Sequence, residues 1–234
     1  MSLPDSEISR LTELGAPILC IDTCSVLDVM RDPTRNTSNP HNVRAALDLL
    51  NHLETGTALI GLIATQVHTE LTEHLQPIHE EAEESIKRLK AQVAKVDTIA
   101  SAFGATTVTD MDHLDLHVPR ARQAVDRWIN ASILVPQGGN IPGLALARLN
   151  SAITPAKKGK DSMKDCVVIE SYLDVTRTLR GAGLTTKIVF LSSNTSDYVG
   201  NSGSMLKPDL GTEFSSLNME YAPNMGAAKF QLGL

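Results

Sequence analysis

The stretch "APILCIDTCSVLDVM" (residues 16–30) climbs through apolar residues to one acid, Asp22, and turns apolar again after three small residues. Acids recur at comparable places. Glu70 follows "LIATQVHT", Asp165 follows the loop "TPAKKGKDS", and Asn194 and Asp197 lie just past "TKIVFLSS". Asp161 precedes Asp165 by four residues, the spacing of one helical face. Each acid alone has an ordinary explanation: Asp22 caps the next helix, Glu70 belongs to a solvated face, Asp197 to a polar turn. Carboxylates brought to one edge repel unless a proton or cation intervenes. Hard oxygen donors without a His or Cys cluster favour Mg²⁺ or Mn²⁺.

Such a meeting requires elements that deliver the acids to one edge. "PILCI" (17–21), "TALIGLIA" (57–64) and "TTKIVFLSS" (185–193) are short runs with apolar centres, the pattern of strands buried on both faces. "SSLNMEYA" (215–222) supplies a short edge strand. "HNVRAALDLLNHLETG" has helical spacing through Val43, Leu47, Leu50 and Leu53, with Gly56 as its stop. "TQVHTELTEH" (65–74) predicts a helix. From Pro77 to Phe103 runs the longest helical pattern, whose stripe from Ile86 to Phe103 is expected in the core. "PRARQAVDRWINASIL" (119–134) and "MKDCVVIESYLDVTRTLR" (163–180) predict two more helices. Strands alternating with amphipathic helices give an α/β domain around a mostly parallel sheet. Residues 76–150 show no strand pattern and read as a helical insertion within a single domain spanning 1–234. In open parallel sheets the reactive crevice lies beyond the carboxyl ends of the strands, where Asp22, Asn194 and Asp197 fall.

Composition narrows the function classes. With a net charge of −6 over 234 residues, a broad electropositive nucleic-acid surface is excluded. Aromatic residues make up 3%, too few for a base-stacking platform. Polyanion contact must then be local or metal-mediated. Lys157, Lys158, Lys160 and Lys164, close to Asp165, form one local patch, read equally as a phosphate clamp or a solvated loop. Arg120, Arg122 and Arg127 read as a solvated helix face. Cys20, Cys24 and Cys166 contain no CxxC and point to reduced thiols and a cytoplasmic setting. The start "MSLPDSEISR" lacks the pattern of a secretory signal, and no apolar run approaches the roughly eighteen residues of a membrane span.

"ILCIDTCSVLDVM", "IATQVHTELTEH", "KDSMKDCVVIESYL" and "VFLSSNTSDY" resemble, in order, the four acidic motifs of PIN-domain ribonucleases. The resemblance covers roughly 17–75 and 155–222. It implies a three-layer α/β/α sandwich and Mg²⁺- or Mn²⁺-dependent hydrolysis of phosphodiester bonds, usually of RNA. It further implies that Asp22, Glu70 and Asp165 are catalytic metal ligands, completed by Asp197 or Asn194. RNA is the implied partner, with single-stranded DNA, a protein inhibitor or antitoxin, and a homo-oligomer left open. Thr23, Ser25, Ser192 and Ser193 are placed to hydrogen-bond the carboxylates or the scissile phosphate. The fourth motif departs from the common pattern, with Thr195 where an acid often stands.

Two rivals remain. A phosphatase with Asp22 as covalent nucleophile wants a second acid two positions on, where Cys24 stands. A nucleic-acid-binding or scaffold protein that kept the fold and lost turnover is the reading Thr195 keeps open. The seven histidines form no zinc motif, and His68 and His74 lack ligand spacing.

Overall fold

The computed structural model describes residues 3–157, 159, 161–200 and 205–234. Five strands, β1 (Ile18–Ile21), β2 (Ile60–Ala64), β3 (Ser132–Val135), β4 (Ile188–Leu191) and β5 (Met219–Ala222), form one sheet in the order β3-β2-β1-β4-β5. Every pairing is parallel. β1 is central: Ile18 stands opposite Ile60 on one side and Ile188 on the other. β1, β2 and β4 are buried along their whole length, which is why they read as unbroken apolar runs.

Around the sheet lie α1 (Asp5–Leu14), α2 (Thr23–Leu27), α3 (Pro40–Thr55), α4 (Thr65–Ala102) and α5 (His117–Ala131). Beyond them come α6 (Ile141–Asn150), α7 (Met163–Gly181), α8 (Thr195–Tyr198), α9 (Pro208–Ser216) and α10 (Met225–Leu232). α3 packs with α5 and α10, while α7 packs with α1, α4 and α6, giving the α/β/α sandwich. No described helix is long and apolar enough to cross a membrane. Phe190 on β4 gathers Tyr172, Tyr198, Phe214 and Tyr221, with ring centroids 5.2–6.1 Å away, so most of the few aromatics are spent on packing. Gly61 is required by close approach: a Cβ there would lie 2.7 Å from the Ser132 hydroxyl of β3 and 3.0 Å from Leu53 of α3.

Several sequence expectations need correction. The stretch 76–150 does contain a strand, since Ser132–Val135 pairs with β2 at the sheet edge. The helix expected over 119–134 stops earlier because the Ser132 hydroxyl folds back onto the Trp128 carbonyl and the chain extends from there. Four residues following a helix carry no periodicity that separates strand from helix tail. The helices expected on either side of Pro77 are one helix, α4. Pro77 cannot bond the Glu73 carbonyl, but both residues face water, which replaces the lost partner. The distal stripe of α4 is not core, with Val96, Ile99 and Phe103 exposed. On α3 the buried face is Ala45, Ala46, Leu49, Leu50 and Leu53, and Val43 and Leu47 lie outside it.

Candidate metal centre

The sheet order reverses direction at β1, which neighbours β2 on one side and β4 on the other. A crevice opens beyond the carboxyl ends of strands at such a switch point. Asp22 follows β1 directly and caps α2, its Oδ1 accepting the Thr23 amide at 2.8 Å. The cap and the site are therefore one arrangement. The other oxygen, Oδ2, accepts the Ser192 hydroxyl at 2.6 Å from the end of β4, and the Cys24 thiol at 3.3 Å. Thr23 then turns its hydroxyl to Glu70 Oε2 at 2.9 Å, and Gln66 donates to Glu70 Oε1 at 2.9 Å. One residue thus touches both acids, locking the end of β1 to the first turns of α4.

Asp22, Glu70, Asp165, His74, Arg31 and Asn194 are among the residues lining a cavity of about 350 Å³ at this edge. Asp165 arrives from the first turn of α7. Burial pushes the Asp22 carboxyl above its ordinary range, and the charge of Glu70 pushes the same way; bonds from Ser192, Cys24 and Thr23 oppose the shift. Burial and the neighbouring Asp22 also push the Cys24 thiol up to about 12, which keeps it protonated and a hydrogen-bond donor.

Of the two residues expected to complete the set, Asn194 lines the cavity and Asp197 stands behind it. Asp197 is 1% exposed and does not line the cavity. Its Oδ1 is 2.6 Å from the Lys157 ammonium and its Oδ2 accepts the Asn194 amide. Among the described residues, Asp197 reaches the cavity through Asn194, which it orients. The same contact occupies Lys157, which also donates to the Ser196 carbonyl at 2.6 Å. Lys164 lies 3.4 Å from Glu73, while Lys158 and Lys160 lie outside the described residues. Arg122 and Arg127 are paired with Asp126 and Glu54, as a solvated face requires. The Ser193 hydroxyl is spent on Asp28 at 2.6 Å, and its amide on the Ser25 hydroxyl at 2.9 Å, so both serines join α2 to β4. Asp161 precedes α7 and caps Met163, so it shares no helical face with Asp165.

Arg31 and His74 line the cavity although sequence reasoning did not select them. His74 had a readable signal, four residues after Glu70 on one helix face. Arg31 had none, because it lies past the end of α2.

Among the described residues, no three His, Cys, Asp or Glu side chains stand close enough together to cage an ion. The donor set nonetheless suits one class of cation. Mg²⁺ commonly keeps several waters and is held by one or two carboxylates, so it needs no all-protein cage. Three carboxylates on one polar cavity, one of them buried against its own charge, fit a hydrated Mg²⁺ or Mn²⁺ ion. A family model described as a PIN domain matches residues 19–198, about three-quarters of the chain. Searches of curated proteins and of solved structures find no match.

Proposed function

The chain belongs to the PIN-domain family, and from that premise we propose that it is a Mg²⁺- or Mn²⁺-dependent nuclease that hydrolyses phosphodiester bonds of RNA. The observation that supports this most is the meeting of Asp22, Glu70 and Asp165, from β1, α4 and α7, around one cavity at the sheet's switch point. An anionic diester cannot approach three carboxylates unaided. A divalent ion held there would supply a Lewis acid for the phosphoryl oxygen and lower the pKa of a bound water. The chain's own residues have the remaining tasks. Thr23 and Ser192 fix the carboxylate orientations of Glu70 and Asp22. Arg31 presents a guanidinium to the incoming phosphate, and Asn194, held by Asp197, offers a neutral polar contact.

The alternative is a nucleic-acid-binding or scaffold protein without turnover, favoured by the Lys157–Asp197 pair that neutralises the fourth acid. Labelled RNA and single-stranded DNA incubated with purified protein, in Mn²⁺ and in chelator, separate the two. Cleavage that requires Mn²⁺ and disappears in Asp22→Asn supports the nuclease. Metal-independent binding without cleavage supports the scaffold.

A further inference from the structure

Beside the acidic cavity lies a larger one, of about 440 Å³, and Arg31 lines both. The two cavities therefore meet at one guanidinium. The larger is formed by the segment after α2, the first turns of α3, His117 and Met225. Its charge opposes that of the whole chain: Arg31, Arg35 and Arg44 line it against one acid, Asp28, in a protein of net charge −6. Its remaining walls mix apolar side chains, including Val29, Pro33, Val43 and Met225, with hydroxyls of Thr37 and Ser38 and amides of Asn39 and Asn42. This explains why Val43 falls outside the buried face of α3: it faces the cavity.

The cavity is organised in advance. Asp32 accepts the Thr34 amide and hydroxyl, both at 2.7 Å, and its carbonyl accepts Arg35 Nε at 3.1 Å and the Ser38 hydroxyl at 3.0 Å. Asp28 stands 3.5 Å from Arg31 and 3.6 Å from Arg35 and is itself fixed by Ser193. Arg31 Nε is the buried atom that faces Asp28, so this ion pair holds the guanidinium at the junction of the cavities.

We propose that this cavity is a nucleotide subsite, taking one base and sugar of the strand, with that nucleotide's own phosphate on Arg31, Arg35 and Arg44, beside the diester at the acidic cavity. The proposal rests on the nuclease reading for its place in the reaction. The chemistry that recognises the ligand is local: apolar walls for a flat base, amides for its edge, and arginines for phosphate. The volume suits one small ligand of that kind.

The test is titration of the full-length protein in chelator with each of four 5′-nucleoside monophosphates, and with inorganic phosphate. Removal of metal separates the subsite from hydrolysis. At least one monophosphate is expected to bind more tightly than phosphate. Arg35→Met should weaken it about tenfold or more, as loss of a charged hydrogen bond does. Val43→Glu, an exposed position whose side chain makes no hydrogen bond, should weaken it as strongly by placing a like charge in the cavity while the melting temperature holds. Asp22→Asn should retain binding. No binding of any monophosphate at millimolar concentration overturns the subsite, as does affinity equal to that of phosphate or unchanged in Val43→Glu. A protein that binds monophosphates as described but never cleaves RNA in Mn²⁺ keeps the subsite and overturns the nuclease reading.

Discussion

Asp22→Asn replaces one oxygen by an amide and preserves the acceptor that caps the Thr23 amide. Its effect on stability changes sign with metal. In the fold, burial and Glu70 hold the Asp22 carboxyl above its ordinary range, so folding favours the protonated form. A carboxyl with a raised folded pKa contributes its full stability below the unfolded value, about 3.9, and loses it as pH rises through the folded value. At neutral pH without metal, wild type carries this unfavourable charge and the variant does not. The variant should therefore melt higher in chelator, and its advantage should shrink as pH falls towards 4. Mn²⁺ at one hundred times its dissociation constant should stabilise wild type by about 2.7 kcal/mol. For a chain of 234 residues, each kcal/mol moves Tm by roughly 2–4 °C, so wild type should gain about 5–11 °C. The variant, short of a ligand, should gain much less. Melting curves of both proteins with Mn²⁺ and with chelator, at pH 7 and pH 4.5, read all of this. A variant that melts lower in chelator and gains as much from Mn²⁺ as wild type refutes the reasoning and leaves Asp22 a helix cap.

Further outcomes follow from neighbouring contacts. Arg148 is 3% exposed and joins Glu170 on α7 at 2.6 Å, Glu213 on α9 and the Thr154 carbonyl, so Arg148→Met should cost about 3–5 kcal/mol in denaturant unfolding by stranding Glu170. Tyr172 spends its hydroxyl on the Ile21 carbonyl and the Ala64 amide, at the ends of β1 and β2; Tyr172→Phe should lower stability by about 1–3 kcal/mol in the same assay. Lys157→Met should leave Asp197 buried with one charged partner fewer and lower Tm in thermal melting.

What could be read in advance follows from how local each signal is. β1, β2 and β4 announce themselves because burial on both faces leaves only apolar side chains, and Asp22, Glu70 and Asp165 are each marked by a nearby change of element. β3 is an edge strand with one buried residue in four, so its sequence is that of a helix tail. Asp197 sits where a fourth ligand is expected, yet its fate depends on Lys157, forty positions away, which no local pattern connects to it. The amphipathic stripe of α4 continues beyond its last buried residue, Ile86, and periodicity cannot say where the neighbours stop. Arg31 and the cavity it shares arise from the segment joining α2 to α3, whose Asp32-centred bonds shape a surface without repeating anything along the chain.

The central claim is that three acids, and not four, hold the ion. Titration of Mn²⁺ into wild type, Asp165→Asn and Asp197→Asn, followed by the electron paramagnetic resonance of free Mn²⁺, addresses it without any substrate. Wild type should bind, Asp165→Asn should bind at least about tenfold more weakly by losing a carboxylate ligand, and Asp197→Asn should bind nearly as wild type does. Equal loss in both variants, or no Mn²⁺ binding by wild type at millimolar concentration, would contradict it.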